Sequence, residues 1–179
     1  MGYYRKIVGV RLYLSPFRPE DETSIATWVE WMNDSSVAEN YGGLHNMVSP
    51  SNARQVLAEL NGYRFDIVLQ NSDELIGHIS VHDVDFVNRS AYVGILIGDA
   101  QHRNKGYGTE ALRLVLHFGF KVLNLHSIAL TVHEDNEIGI ACYKKVGFRE
   151  WGRRREALFK NGRYVAKLYM DILANDFAD

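Results

Sequence analysis

Between residues 90 and 133 the apolar period of the chain switches from two to 3.6 and back to two, and the segment QHRNKGYGTEA (101–111) stands at the first switch. A strand, a glycine-bearing loop, a helix and a second strand in series form a βαβ unit, which forces two parallel neighbours in one sheet. The strand side is AYVGILIGD. The helix side is TEALRLVLHFGFKVLN, with Ala111, Leu112, Val115, Phe118 and Val122 expected on one buried stripe, and SIALTVH follows as the returning strand.

The flanking segments contain no second unit of this kind. KIVGVRLYLS (6–15) reads as one strand, and PEDETSIATWVEWMND as a helix burying Ile25, Trp28, Val29 and Met32. SSVAENYGGLHNMVSP reads as a loop with a Gly-Gly pair, and SPSNARQVLAEL as a helix behind a Ser cap that stops at Asn61-Gly62. YRFDIVLQ, LIGHISVHDVDF and AYVGILIGD, joined by turns at NSDE and VNRS, form an antiparallel meander. NEIGIACYKKV is a short helix ended by Gly147, with Ile138, Ala141 and Cys142 expected on its core stripe. RYVAKLYMDIL pairs with REWGRRREALF across the hairpin signal Asn161-Gly162. The expectation is one domain over 1–179 of α/β (α+β) class, a mostly antiparallel mixed sheet of about seven strands with about four helices.

Charge and cysteine content narrow the partners. A formal net charge of −2 gives no global field for nucleic acid or an acidic membrane. The cluster Arg153, Arg154, Arg155 alternates faces in a strand without aromatic interleaving, so it reads as a solvated strand. The apolar run at 112–125 is broken by Arg113, His117, Lys121 and Asn124, so no membrane span is expected. With one cysteine, Cys142, and leader features not seen in MGYYRKIVGV, the expectation is a cytoplasmic protein. Oligomeric state is left open, although exposed strand edges near the C-terminal hairpin leave room for a homodimer.

Three phosphate-binding patterns compete for QHRNKGYGTEA. A Walker loop fails because Lys105 precedes Gly106 and no Lys-Ser or Lys-Thr follows Gly108. Gly106-Tyr107-Gly108-Thr109-Glu110-Ala111 matches G-x-G-x-x-A, yet DAQHRNK separates it from Gly98, and a dinucleotide domain needs further βαβ units downstream. The third pattern is R-x-x-G-x-G, a longer loop able to wrap a diphosphate against a helix N-terminus.

With YVGILIGD before it and EDNEIGIACYKKVGF after the next strand, this order resembles the GNAT superfamily of acetyl-CoA-dependent N-acetyltransferases. The branch it is most similar to contains ribosomal-protein N-terminal and spermidine acetyltransferases. The resemblance is specific between residues 91 and 148 and architectural elsewhere. It implies a GNAT fold and acetyl-CoA as cosubstrate. The loop residues Arg103, Asn104, Lys105, Gly106, Tyr107, Gly108 and Thr109 would hold the coenzyme pyrophosphate, and Ile95, Leu96 and Ile97 would pair with the pantetheine arm. Asn136 would contact the pantetheine, and Tyr143 would serve as general acid. A phenol of pKa ~10 is a suitable donor to a thiolate whose conjugate acid lies near ~8.5.

The base is less evident, because Tyr92 stands where many relatives carry an acid. His78, His82, Asp83, His133 and Glu134 are the candidates for a water-mediated route. A covalent role for Cys142 lacks a neighbouring histidine, and no metal signature occurs. Trp28, Trp31, Asp34, Glu39 and Tyr41 suggest an aromatic and acidic mouth for a cationic amine, although aromatics at helical spacing are more often core. The acceptor is therefore expected to be a small amine or polyamine, ahead of a protein N-terminus. A catalytically idle acyl-CoA sensor is the reading of another class.

Overall fold

The computed structural model describes residues 2–41, 46–59 and 62–178. Eight strands form one sheet in the order β1-β2-β3-β4-β5-β6-β8-β7, where β1 is Ile7–Val8, β2 Leu12–Pro16, β3 Gly62–Leu69, β4 Leu75–Asp85, β5 Ser90–Ile97, β6 Ser127–His133, β7 Arg149–Lys160 and β8 Arg163–Leu173. All neighbours are antiparallel except β5 and β6, the parallel pair that the switch in period requires.

Among the described residues five α-helices accompany the sheet: α1 Glu22–Asn33, α2 Ser35–Tyr41, α3 Pro50–Glu59, α4 Tyr107–His117 and α5 Glu137–Val146. Ile25, Trp28, Trp31, Met32, Val37 and Ala53 pack with Leu96 in one cluster. Ala111, Leu112, Val115 and Leu116 of α4 pack with Ile67, Ile79, Val81, Val93 and Ile128 in the larger one. The sheet thus carries apolar layers on both faces, as a strand in the middle of a layered α/β domain must.

The mixed class and single βαβ unit stand as expected, while strand and helix numbers differ by one each. KIVGVRLYLS is two strands, because the Glu110 carboxylate accepts from the backbone N–H groups of Val10 and Arg11 at 2.8 Å each and holds a tight turn there. Residues 35–41 are helical. Asp34, read as the end of the preceding helix, accepts from Ser36 N at 2.7 Å, and Val37 and Ala38 are buried. The Gly42-Gly43 pair and Asn61 lie outside the described residues.

Two apolar stripes also depart from their helical phase. A π-helical segment at Phe118–Val122 follows α4 and adds residues to the turn, so Phe118 and Phe120 are buried while Val122 is 65% exposed. On α5 the expected stripe is only partly core: Cys142 packs half-buried against the main cluster, while Ile138 and Ala141 are exposed. Ile138 is 65% exposed and, with Ala141 and Cys142, lines a cavity. The C-terminus of α5 follows its sequence signals: Gly147 is left-handed, its N–H and that of Phe148 return to the last turn, and Phe148 is buried. Asn161 and Gly162, with φ of 51° and 77°, make the β7–β8 hairpin turn.

Candidate active site

β5 pairs with β6 only over Ser90, Ala91 and Tyr92; beyond Tyr92 the two strands separate. Residues Val93 to Ile97 then keep hydrogen bonds to β4 on one edge and present the other to a cavity of about 860 Å³. A free edge inside a sheet is a template for an extended chain of amides, since its N–H and C=O groups must find partners.

The floor of the cavity at its other end is the loop before α4. Asn104 and Gly106 are both left-handed, with φ of 60° and 83°, which turns the chain sharply into the helix. Gly106 occupies the N-cap and supplies no side chain to the first turn, so the amides of Tyr107, Gly108 and Thr109 face outward as an anion site. Gly108 has nothing closer than 3.8 Å to an added Cβ, so the approach above it is open. These features fit a diphosphate.

A bracket beneath the loop holds this geometry. Arg11 donates through Nε to Glu110 Oε2 at 2.8 Å and through a terminal nitrogen to the Lys105 carbonyl at 2.8 Å, and its guanidinium lies 4.7 Å from the Tyr107 ring centroid. Burial alone would raise the Glu110 carboxyl, but the N–H groups and guanidinium of Arg11 and the Val10 N–H outweigh it and hold the carboxyl below its ordinary value. Arg103 instead bonds the carbonyls of Ile97 and Gly98, at 3.1 and 2.6 Å, and Ser36 Oγ at 3.2 Å. It ties the loop to the end of β5 and to α2. Neither Arg11 nor Glu110 was singled out from sequence for this role. The Arg11 contact spans more than 90 residues, and no local pattern encodes it.

Ile95, Leu96, Ile97, Arg103, Asn104, Gly106, Gly108, Thr109, Asn136 and Tyr143 all line this cavity. Lys105 and Tyr107 do not; Tyr107 packs under Arg11 and beside His102. Asn136 Oδ1 caps α5 by accepting from Gly139 N at 3.0 Å, which leaves its amide nitrogen for a ligand. Tyr143, two turns on, shares the cavity face and is held edge-on to Phe148 at 6.0 Å. Burial, with the neighbouring Cys142 thiol and Tyr41 phenol, pushes the Tyr143 phenol well above its ordinary value, so it is protonated at neutral pH. Cys142 Sγ sits 3.3 Å from Thr109 Oγ1, a small polar contact rather than an imidazole-activated one.

The candidate bases are sorted by position. Glu134 is committed to Ala166 N and Arg153, and His78 lies in a different cavity, 2.8 Å from Asp66. His82 and His133 line the main cavity. Burial lowers the His133 pKa, assisted by Lys160. His82 has its Nδ1 3.1 Å from Asp83 Oδ2, which assigns the proton to Nδ1 and leaves Nε2 as the acceptor.

A bulge brings this about. Asp85 pairs with Ser90, so an unbroken hairpin would set Asp83 opposite Tyr92; the register shift sets His82 there instead, on the cavity face, with Asp83 at φ 51°. Tyr92 stacks on the His82 ring at 6.1 Å.

The acids and aromatics expected at the mouth are largely engaged elsewhere. Trp28 and Trp31 are core, Asp34 caps α2, and Glu39 bonds Asn161 and lies 3.9 Å from Lys160. Among the described residues one group could gather around a cation, Glu74, Asp99 and His102, with the acids 3.8 and 3.5 Å from the imidazole. Arg153, Arg154 and Arg155 lie exposed on β7, the last strand of the sheet. Among the described residues no helix is long and apolar enough to cross a membrane.

The acetyltransferase (GNAT) domain model matches residues 11–149, from the Arg11 bracket through Tyr143. The chain belongs to the GNAT acetyltransferases. Among relatives, the putative ribosomal N-acetyltransferase YdaF of Bacillus subtilis is 29% identical over 158 residues, 88% of this chain and 82% of that protein. The spermidine N(1)-acetyltransferase of Vibrio cholerae is 33% identical over 112 residues, 62% of this chain and 64% of that protein. A solved structure of spermidine N-acetyltransferase from Vibrio cholerae in complex with CoA and spermine superposes with a TM-score of 0.81 at 24% identity, over 93% of this chain and 97% of that one, and establishes the shared fold. The GNAT chain is accordingly an acetyl-CoA-dependent acyltransferase.

Proposed function

We propose that this GNAT chain transfers an acetyl group from acetyl-CoA to the primary amine of a small acceptor by direct attack in a ternary complex. One observation carries the reading: a single cavity joins the unpaired edge of β5, the uncapped first turn of α4, Tyr143 and His82. The loop amides would hold the coenzyme diphosphate, the β5 edge its amide-bearing arm, and Asn136 the same arm from α5.

His82, oriented by Asp83, takes the proton that the attacking amine must lose, and Tyr143 supplies a proton to the departing thiolate. Free N–H groups of β5 are donors for the charge that develops on the thioester oxygen. The engagement of Asp34 and Glu39 favours a small amine over a polyamine as acceptor. A protein N-terminus is the second reading, favoured by the length over which the ribosomal relative matches. The outer strand β7, with Trp151 60% exposed, would be the contact of a homodimer.

The test is coenzyme A release from acetyl-CoA across amino acids, simple amines, polyamines and short peptides. Amine-dependent release is expected, and His82→Gln should lower kcat/KM about 10²-fold. Coenzyme A binding without release on any amine would instead identify a sensor. Thermal protection by NAD(H) and not by coenzyme A would sink both readings.

A further inference from the structure

A second cavity of about 370 Å³ lies beside the first and shares Tyr41 with it. Its walls include Phe17, Trp28, Met32 and Val56, and Arg64 also lines it. Both terminal guanidinium nitrogens of Arg64 are buried and have no partner among the described residues. The acid on the same strand face, Asp66, turns Oδ1 toward His78 Nδ1 at 2.8 Å, without a hydrogen bond, and accepts from Ser24 Oγ through Oδ2 at 3.3 Å. A guanidinium cannot shed its proton as a buried lysine can, so a buried one calls for an anion.

The sheet connects this cation to the reacting centre. Arg64 pairs with Ser80, and Ser80 with Gly94, giving a row across β3, β4 and β5 on one face. Gly94 lies on the free stretch of β5, where an added Cβ would stand 3.4 Å from Ser80 Oγ, 3.6 Å from the Tyr41 hydroxyl and 3.7 Å from His82 Nε2. Two strand spacings place the Arg64 and Gly94 backbones about 10 Å apart, and the arginine side chain shortens the remaining reach. The row Gly94, Ser80 and Arg64 thus runs along one face of the sheet from beside His82 to the second cavity, with Tyr41 bordering both cavities.

We infer that the Arg64 cavity is an acceptor subsite for an anionic oxyacid group, so that the amine acetylated at His82 belongs to a small molecule carrying a carboxylate or phosphate a few atoms away. This rests on the proposed acetyl transfer. Burial of the unpaired guanidinium weakens its hold on its proton, and a bound oxyanion with two acceptor oxygens would reverse that by a bidentate contact.

The probes are ω-amino carboxylates of graded length, their uncharged amides, aminoalkyl phosphates and polyamines, each assayed for acetylation and, with coenzyme A present, for thermal stabilisation. Wild-type kcat/KM is expected to favour the oxyanion-bearing amines over the amides at least tenfold. Arg64→Gln should abolish that preference while binding coenzyme A as before. Arg64→Met removes an unpaired buried charge at similar volume, so it should melt no lower than wild type without ligand and gain nothing from the oxyanion probes. The carboxylate and phosphate arms decide which oxyanion is taken. Equal use of acids and amides, preference for polyamines, or an unchanged preference in both variants overturns the inference. If no amine is acetylated, the transfer reading fails, and stabilisation by the oxyanion probes that Arg64→Gln abolishes still decides the subsite.

Discussion

Arg11 and Glu110 meet through a 2.8 Å Nε to Oε2 bond, and the same carboxylate accepts the backbone N–H groups of the β1–β2 turn. One residue pair thus fixes both the first hairpin and the start of α4, whose first turn faces the cavity. Removing the guanidinium frees the Lys105 carbonyl and the Tyr107 ring together. Arg11→Met is expected to weaken coenzyme A binding several-fold and to lower stability by about 1–2 kcal/mol, read by calorimetric titration and urea melts. Weakened binding without any loss of stability would place Arg11 on the ligand instead.

The Glu110 carboxyl lies below its ordinary value in the folded chain, so the folded state binds its proton less well than the unfolded state does. Its contribution to stability is complete above the ordinary carboxylate pKa of about 4.3 and is lost as pH falls through the lower folded value. Glu110→Gln should therefore narrow its stability gap to wild type on acidification below about pH 4, as chemical melts at pH 7 and pH 3.5 would reveal. A gap independent of pH would remove the carboxylate's charge from the account.

Tyr143 is pushed up by burial and keeps its proton, so it can donate through the whole neutral and mildly alkaline range. Tyr143→Phe is expected to reduce kcat about 10²-fold or more while leaving the coenzyme A Kd within about twofold. Equal losses in both would make it a binding residue.

The π-helical segment after α4 is open to a stability test. Phe118→Ala should cost about 3–5 kcal/mol as a core truncation, whereas Val122→Lys, on the exposed side, should stay within about 0.5 kcal/mol. A large cost for Val122→Lys would restore the uninterrupted helical stripe.

Much of the fold follows from local chemistry. The changes of period around 101–111, the left-handed glycine at 147 and the Asn161-Gly162 turn each act within a few residues, so the βαβ unit, the end of α5 and the last hairpin are readable from the chain alone. The same holds for Asn136 and Tyr143, because seven residues on a helix share a face whatever surrounds them.

What tertiary structure alone decided is register and long-range bracing. A one-residue bulge in β4 turned His82 toward Tyr92 and the cavity and Asp83 away from it, a choice a period-two pattern leaves open because either residue is polar. Arg11 reaches a loop more than 90 residues away, and the Arg64 guanidinium has no partner among the described residues although Asp66 lies two residues on, turned toward His78 and Ser24. The sequence determined the sharp glycine-bearing turn that opens the first turn of α4 to the cavity. Packing between distant strands decided which imidazole faces the cavity and which cation has no partner among the described residues.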